Sequence, residues 1–191
     1  MNVVTDAIKI FARNEWIYYY YAKIKSNLQK YIDDSFEANQ IIDNLWLGAI
    51  SSSCNRESLY KYKIEIIISA FLGSIAEYPY DFNYERAKLR DVDNEDILSD
   101  IELLLPIIHE NLIEGKGVLC FCQKGKSRSA TIVAAYLIKY NSMTADEALI
   151  FIKKKRTQVD PNSGYLRQLH EFESRIRSEA GYIVDDDKKV K

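Results

Sequence analysis

The run Cys122-Gln123-Lys124-Gly125-Lys126-Ser127-Arg128-Ser129 brings a thiol, a glycine and a guanidinium together between an apolar stretch and a helical one. A loop that feeds a helix N-terminus turns unpaired backbone N–H groups outward and adds the positive end of the helix dipole, so it attracts anions. Gly125 lets that loop curl tightly, with no Cβ in the way. A cysteine at its start is drawn toward the thiolate. Free cysteine titrates near about 8.5, and helix N-termini or neighbouring cations bring it to roughly 3.5–7.5. Arg128 follows six residues after Cys122, and its planar fork suits two oxygens of a phosphate. The spacing therefore predicts a nucleophile, an amide cradle and a bidentate guanidinium acting on one tetrahedral oxyanion.

Two other patterns fail on their own chemistry. Gly125-Lys126-Ser127 resembles the end of a nucleotide-binding loop, but that motif needs a glycine where this chain has Cys120. A cysteine–histidine hydrolase needs a histidine base. The chain has two histidines, His109 and His170. Only His170 lies downstream, in an ordinary helical pattern, and it reads as a helix-surface or packing residue. Two histidines also give a metal site little to build with. Cys120 and Cys122 stand two apart on a strand, a poor spacing for a disulfide, and Cys120 reads as core packing. Cys54 serves as a resolving thiol only if the fold brings it close.

The elements that must hold this loop follow from periodicity. Val118–Cys122 and Ile64–Phe71 are apolar and β-branched enough for strands buried on both faces. Ile41–Leu47 reads as a further extended segment and Lys88–Arg90 as a weaker one. Asp96–Ile113 is helical, with Pro106 expected to kink or divide it. Ser127–Tyr140 is helical, with Ile132, Val133, Tyr136, Leu137 and Tyr140 inward. Thr144-Ala-Asp-Glu147 is a capping box that starts a helix ending in Lys153–Arg156, read as a solvated cationic end. A last helix carries Leu166, Leu169, Phe172 and Ile176 and ends at Gly181. Alternating strands and helices predict an α/β fold with a mostly parallel central sheet flanked by helices.

The whole chain sets the outer bounds. Its 191 residues carry 26 Lys and Arg against 28 Asp and Glu, a formal charge of −2. With a pI near 5.8, a nucleic-acid binder held by a global basic field is excluded. Hydrophobic residues are 47% and charged residues 28%, a globular balance. No apolar run near the start reaches the roughly 20 residues of a membrane span, and no secretory signal pattern is read. Three cysteines without such a signal predict reduced thiols in a cytoplasmic setting. Rich Lys, Ile, Asn and Tyr usage fits an AT-rich genome, viral or protist.

Cys122-x5-Arg128-Ser129 between a strand and a helix resembles the signature of the cysteine-dependent protein phosphatases. The surrounding text is similar to their dual-specificity branch: GVLCFCQKGKSRSATIVAAYLIKY, MTADEALIFIKKKR and PNSGYLRQLHEFE, with DNLWLGAI and LRDVDNEDIL upstream. The likeness runs from Ile41 to Ser174. It implies a catalytic domain over 36–180, an N-terminal helical extension over 1–35 and a flexible polar tail over 181–191. The extension, with its stripe at Ile17, Tyr20 or Tyr21, Ile24, Leu28 and Tyr31, packs on its own domain or, alternatively, forms a homodimer.

The resemblance also implies roles. The Cys122 thiolate attacks phosphorus to form a phosphocysteine. Asp91 protonates the leaving oxygen and then activates the hydrolytic water. Asp93, Glu95 and Asp96 are close by in sequence, and residue chemistry alone leaves them open. Ser129 hydrogen-bonds the sulfur. Gln123, Lys124, Gly125, Lys126, Ser127 and Arg128 bind the phosphate. No cofactor or metal is called for. The family usually has a histidine before the nucleophile, and here Phe121 stands there. Lys124 and Lys126 are expected to supply the missing stabilisation by Coulomb attraction. The implied partners are phosphorylated proteins carrying phosphotyrosine, phosphoserine or phosphothreonine at a shallow site. Phosphoinositides or RNA 5′-phosphates are the alternative substrates, since the loop lysines suit dense charge. An alternative of another class is a module that binds phosphoproteins without turnover.

Overall fold

The computed structural model describes residues 35–74 and 76–179 together with Tyr20, Ile24 and Gly181. The expected N-terminal helix and its dimer role, and the polar tail, lie outside the described residues apart from those three. Five strands form one sheet: β1 (Ala38–Ile42), β2 (Leu45–Gly48), β3 (Ile64–Ala70), β4 (Asn83–Ala87) and β5 (Gly117–Phe121), in the order β1-β2-β5-β3-β4. β1 and β2 are antiparallel, and every other pairing is parallel. The central strands are apolar because helices cover the sheet. All of β5 is buried, as is β3 apart from Glu65.

The segment read as one strand over Ile41–Leu47 is a hairpin. Asp43-Asn44 turns the chain, and Asn44 takes φ +61, which asparagine tolerates better than most residues. The strand expected at Lys88–Arg90 lies earlier, at Asn83–Ala87. That edge strand is polar and mostly exposed, so it carries little of the apolar signal by which a strand is recognised.

Among the described residues from 35 to 179 the helices are α1 (Ile50–Cys54), α2 (Arg56–Lys61), α3 (Leu98–Ile113), α4 (Arg128–Asn141), α5 (Ala145–Lys155) and α6 (Ser163–Glu179). Pro106 does not divide α3, which is one helix. The proline denies a donor to the Glu102 carbonyl, on an exposed residue. In α4 every residue from Arg128 to Ile138 is buried, because α3, α5, α6 and the sheet surround it. The capping box at Thr144 and Glu147 is present in both directions. No helix among the described residues is long and apolar enough to cross a membrane.

Leu119 of β5 is fully buried, whereas Tyr80 is fully exposed. Leu119→Ala is expected to lower unfolding free energy by about 2–5 kcal/mol, read as a lower urea midpoint. Tyr80→Ala is expected to stay within about 0.5 kcal/mol.

Candidate active site

β5 runs through the middle of the sheet, so Cys122 emerges at its carboxyl end, where open parallel sheets hold ligands. The following loop is shaped by where its carbonyls go. The Gln123 carbonyl accepts from Ile50 N at 3.5 Å. The Lys124 carbonyl accepts from Arg156 Nη2 at 2.9 Å and Gln158 Nε2 at 3.1 Å, and the Gly125 carbonyl from Arg156 Nε at 2.9 Å. The Lys126 carbonyl accepts from Asp160 N at 2.9 Å, and the Ser127 carbonyl from the amide and hydroxyl of Thr131. In a planar trans peptide the N–H points opposite the C=O. With its carbonyls engaged by the surrounding protein, the loop aims the N–H groups of residues 124–128 the other way, into its own centre.

Gly125 is required here. It takes φ +61, and a Cβ on it would collide with the Gly48 carbonyl at the end of β2.

Cys122 is buried. Burial alone would raise its thiol pKa. The Arg128 charge, the neighbouring Ser129 hydroxyl and the backbone N–H groups of Ser129 and Lys126 outweigh burial and bring it below the ordinary thiol value. Cys120, buried two residues earlier with no such neighbours, is pushed up. Lys126 contributes its amide, while its ammonium pairs with Asp160 at 3.0 Å. Phe121, in the place of the family's usual histidine, packs edge-on against Phe71.

The Arg128 guanidinium is buried and held from three sides. Its Nη1 donates to the Leu89 carbonyl at 3.3 Å, its Nε lies 3.6 Å from Asp91 Oδ2, and its centre lies 5.8 Å from the Phe71 ring. Asp91 Oδ1 also accepts from Ser127 Oγ at 2.7 Å and Asn162 Nδ2 at 3.0 Å. Two other carboxylates of that loop have structural partners. Glu95 holds the Arg90 guanidinium at 2.7 Å, and Asp96 accepts from Leu98 N and Ser99 Oγ at the start of α3. The loop is pinned to α6 by Tyr165, whose hydroxyl donates to the Arg90 carbonyl, and by Gln168, which bonds Ile97 N and the Glu95 carbonyl. Gly164 allows this approach, since a Cβ there would strike the Asp93 carbonyl.

The structure thus gathers Cys122, the 123–127 loop, Arg128, Ser129 and Asp91 at one end of the sheet. Neither histidine joins them: His109 stacks on Tyr140, and His170 faces Asp146 at 3.6 Å. Sequence reasoning missed Arg156 and Asn162. Arg156 is no solvated helix end. It is buried, and also bonds Glu37 and Asn39. Four cations in a row hide which one turns inward, and Asn162 beside Pro161 reads as mere punctuation.

Fold and site together define a cysteine-dependent phosphatase. The catalytic-domain profile of dual specificity phosphatases matches residues 45–175, and the chain belongs to that family. Dual specificity protein phosphatase 1B of Arabidopsis thaliana is 30% identical over 156 residues, covering 82% of this chain and 93% of that protein. A protein of Invertebrate iridescent virus 6 is 32% identical over 147 residues, covering 77% and 99%. Among solved structures, human tyrosine phosphatase-like serine/threonine/tyrosine-interacting protein superposes with a TM-score of 0.70 at 27% identity, covering 74% of this chain and 98% of that one.

Inactivation by iodoacetate is expected to fall as pH drops through an inflection below the free-thiol value of about 8.5, because protonation removes the nucleophile. Ser129→Ala should move that inflection up. Arg156→Met leaves the Gly125 carbonyl without its donor and takes one donor each from the Lys124 carbonyl and the Glu37 carboxylate. It is expected to cost about 3–5 kcal/mol of stability in denaturant unfolding and to shift the inflection toward the free thiol.

Proposed function

We propose that this chain removes phosphate from phosphotyrosine and from phosphoserine or phosphothreonine in proteins, with Cys122 as nucleophile and Asp91 as general acid and base. The Cys122 thiolate attacks phosphorus in line. As the phosphorus–oxygen bond breaks, Asp91 gives its proton to the leaving oxygen. The Asp91 carboxylate then takes a proton from water, the water oxygen attacks phosphorus, and the phosphorus–sulfur bond breaks to return the thiolate and inorganic phosphate. Ser129 donates to the departing sulfur, while Arg128 and the amides of residues 123–128 hold the charge that develops on the phosphoryl oxygens.

The observation that carries this reading is a buried cysteine, with Arg128 beside it, at the start of a loop whose carbonyls are engaged from outside. Among the four loop carboxylates, Asp91 is the one hydrogen-bonded to Ser127 and paired with Arg128, which supports it as the acid. A protein substrate is favoured over a phosphoinositide or RNA 5′-phosphate because Lys126 is engaged by Asp160. Free thiols at Cys54, Cys120 and Cys122 favour an intracellular, reducing setting.

Phosphate release is the test, measured on phosphotyrosine and phosphothreonine peptides, a phosphoinositide and 5′-triphosphorylated RNA. The peptides are expected to be hydrolysed, Cys122→Ser to abolish turnover, and Asp91→Ala to lower kcat by about 10²–10⁴. Equal phosphopeptide binding by wild type and both variants, with no release from any, would establish a binding module instead.

A further inference from the structure

A cavity with two cations in its wall opens at the same end of the sheet as the phosphate loop. Its volume is about 300 Å³, and it is lined by Phe71, Leu72, Gly73, Ser74, Arg86 and Lys88. Ser69 of β3 pairs with Phe121, and Ala70 pairs with Ala87 of β4. Cys122 and Lys88 therefore follow the ends of strands two spacings apart, about 10 Å across the sheet. Phe71 is shared by both places, since it lines the cavity and also lies 5.8 Å from the Arg128 guanidinium.

The charge in this cavity is unbalanced. Arg56, Arg90, Arg128 and Arg156 each hold a carboxylate. Arg86 and Lys88 are exposed and have no carboxylate at ion-pair distance among the described residues. The cavity beyond the other side of β5, against Gln123 and Lys124, has Glu37 in its wall. It offers an anion no comparable excess of positive charge.

Resting on the phosphatase reading above, we propose that Arg86 and Lys88 bind an anionic group, a carboxylate or a second phosphate, two or three residues from the phosphorylated residue of an extended peptide substrate. An extended chain advances about 3.3–3.6 Å per residue, so three residues span the distance from the phosphate loop to the cavity. The subsite makes acidic phosphopeptides the preferred substrates. It draws on cations that no internal partner neutralises.

The test uses the Cys122→Ser full-length protein, so that binding is read apart from turnover. Phosphotyrosine peptides carrying Glu, phosphothreonine or Ala two or three residues away are titrated by fluorescence anisotropy. The acidic peptides are expected to bind about threefold to tenfold more tightly than the Ala peptide. Adding Arg86→Ala and Lys88→Ala should bring the ratio to about one. Adding Arg86→Glu and Lys88→Glu should reverse it in favour of a Lys-bearing peptide. Because each ratio compares peptides on one protein, a general loss of affinity cancels. A ratio near one in the parent, or one that survives both double variants, overturns the subsite. So does dependence on Arg86 and Lys88 that appears for an inositol bisphosphate headgroup or 5′-triphosphorylated RNA and not for the peptides. Phosphate release from the same peptides by wild type reports separately on the phosphatase reading.

Discussion

Planarity of the peptide unit is the constraint on which the site depends. A loop can direct five consecutive N–H groups inward only if its carbonyls find donors outside. Those donors come from Ile50, Arg156, Gln158, Asp160 and Thr131. They lie on α1, on α4 and on the turn between α5 and α6. The anion cradle is thus held by segments remote in sequence, and Arg156 supplies donors to two of its carbonyls. Burying such a cation is costly unless its donors are met. Glu37, just before β1, and Asn39, on it, complete that requirement.

A second knot ties Asp91 to Ser127, Arg128 and Asn162. Three chain segments meet at one carboxylate. The guanidinium of Arg128 is thereby oriented before any phosphate arrives, and electrostatic stabilisation is most effective when donors need not reorganise. Phe71 and Phe121 add an apolar wall behind it. This chain dispenses with the family's usual histidine, and the sulfur draws its charge stabilisation from Arg128, Ser129 and amides. The same short-range geometry explains why Cys120, two residues away, behaves oppositely.

Local chemistry was readable where neighbours in sequence are also neighbours in space. The thiol, glycine and guanidinium of residues 122–128 form one loop, and the capping box at Thr144 and Glu147 is one turn of helix. The buried strands at β3 and β5 announced themselves by unbroken apolar runs. The polar edge strand β4 did not, because edge position, not composition, makes it a strand. The hairpin between β1 and β2 was hidden by apolar residues on both sides of Asp43-Asn44, which looked continuous.

From its residues alone, this chain determined a nucleophile, an oxyanion loop and the alternation of strands and helices, because each rests on contacts within a few residues. Only the tertiary structure decided which of four carboxylates meets the loop, which of four successive cations turns inward, and which cations remain unneutralised beside Phe71. Those choices depend on burial and on partners tens of residues away. A charged side chain carries no local mark of whether a carbonyl, a carboxylate or water will face it once the chain has folded.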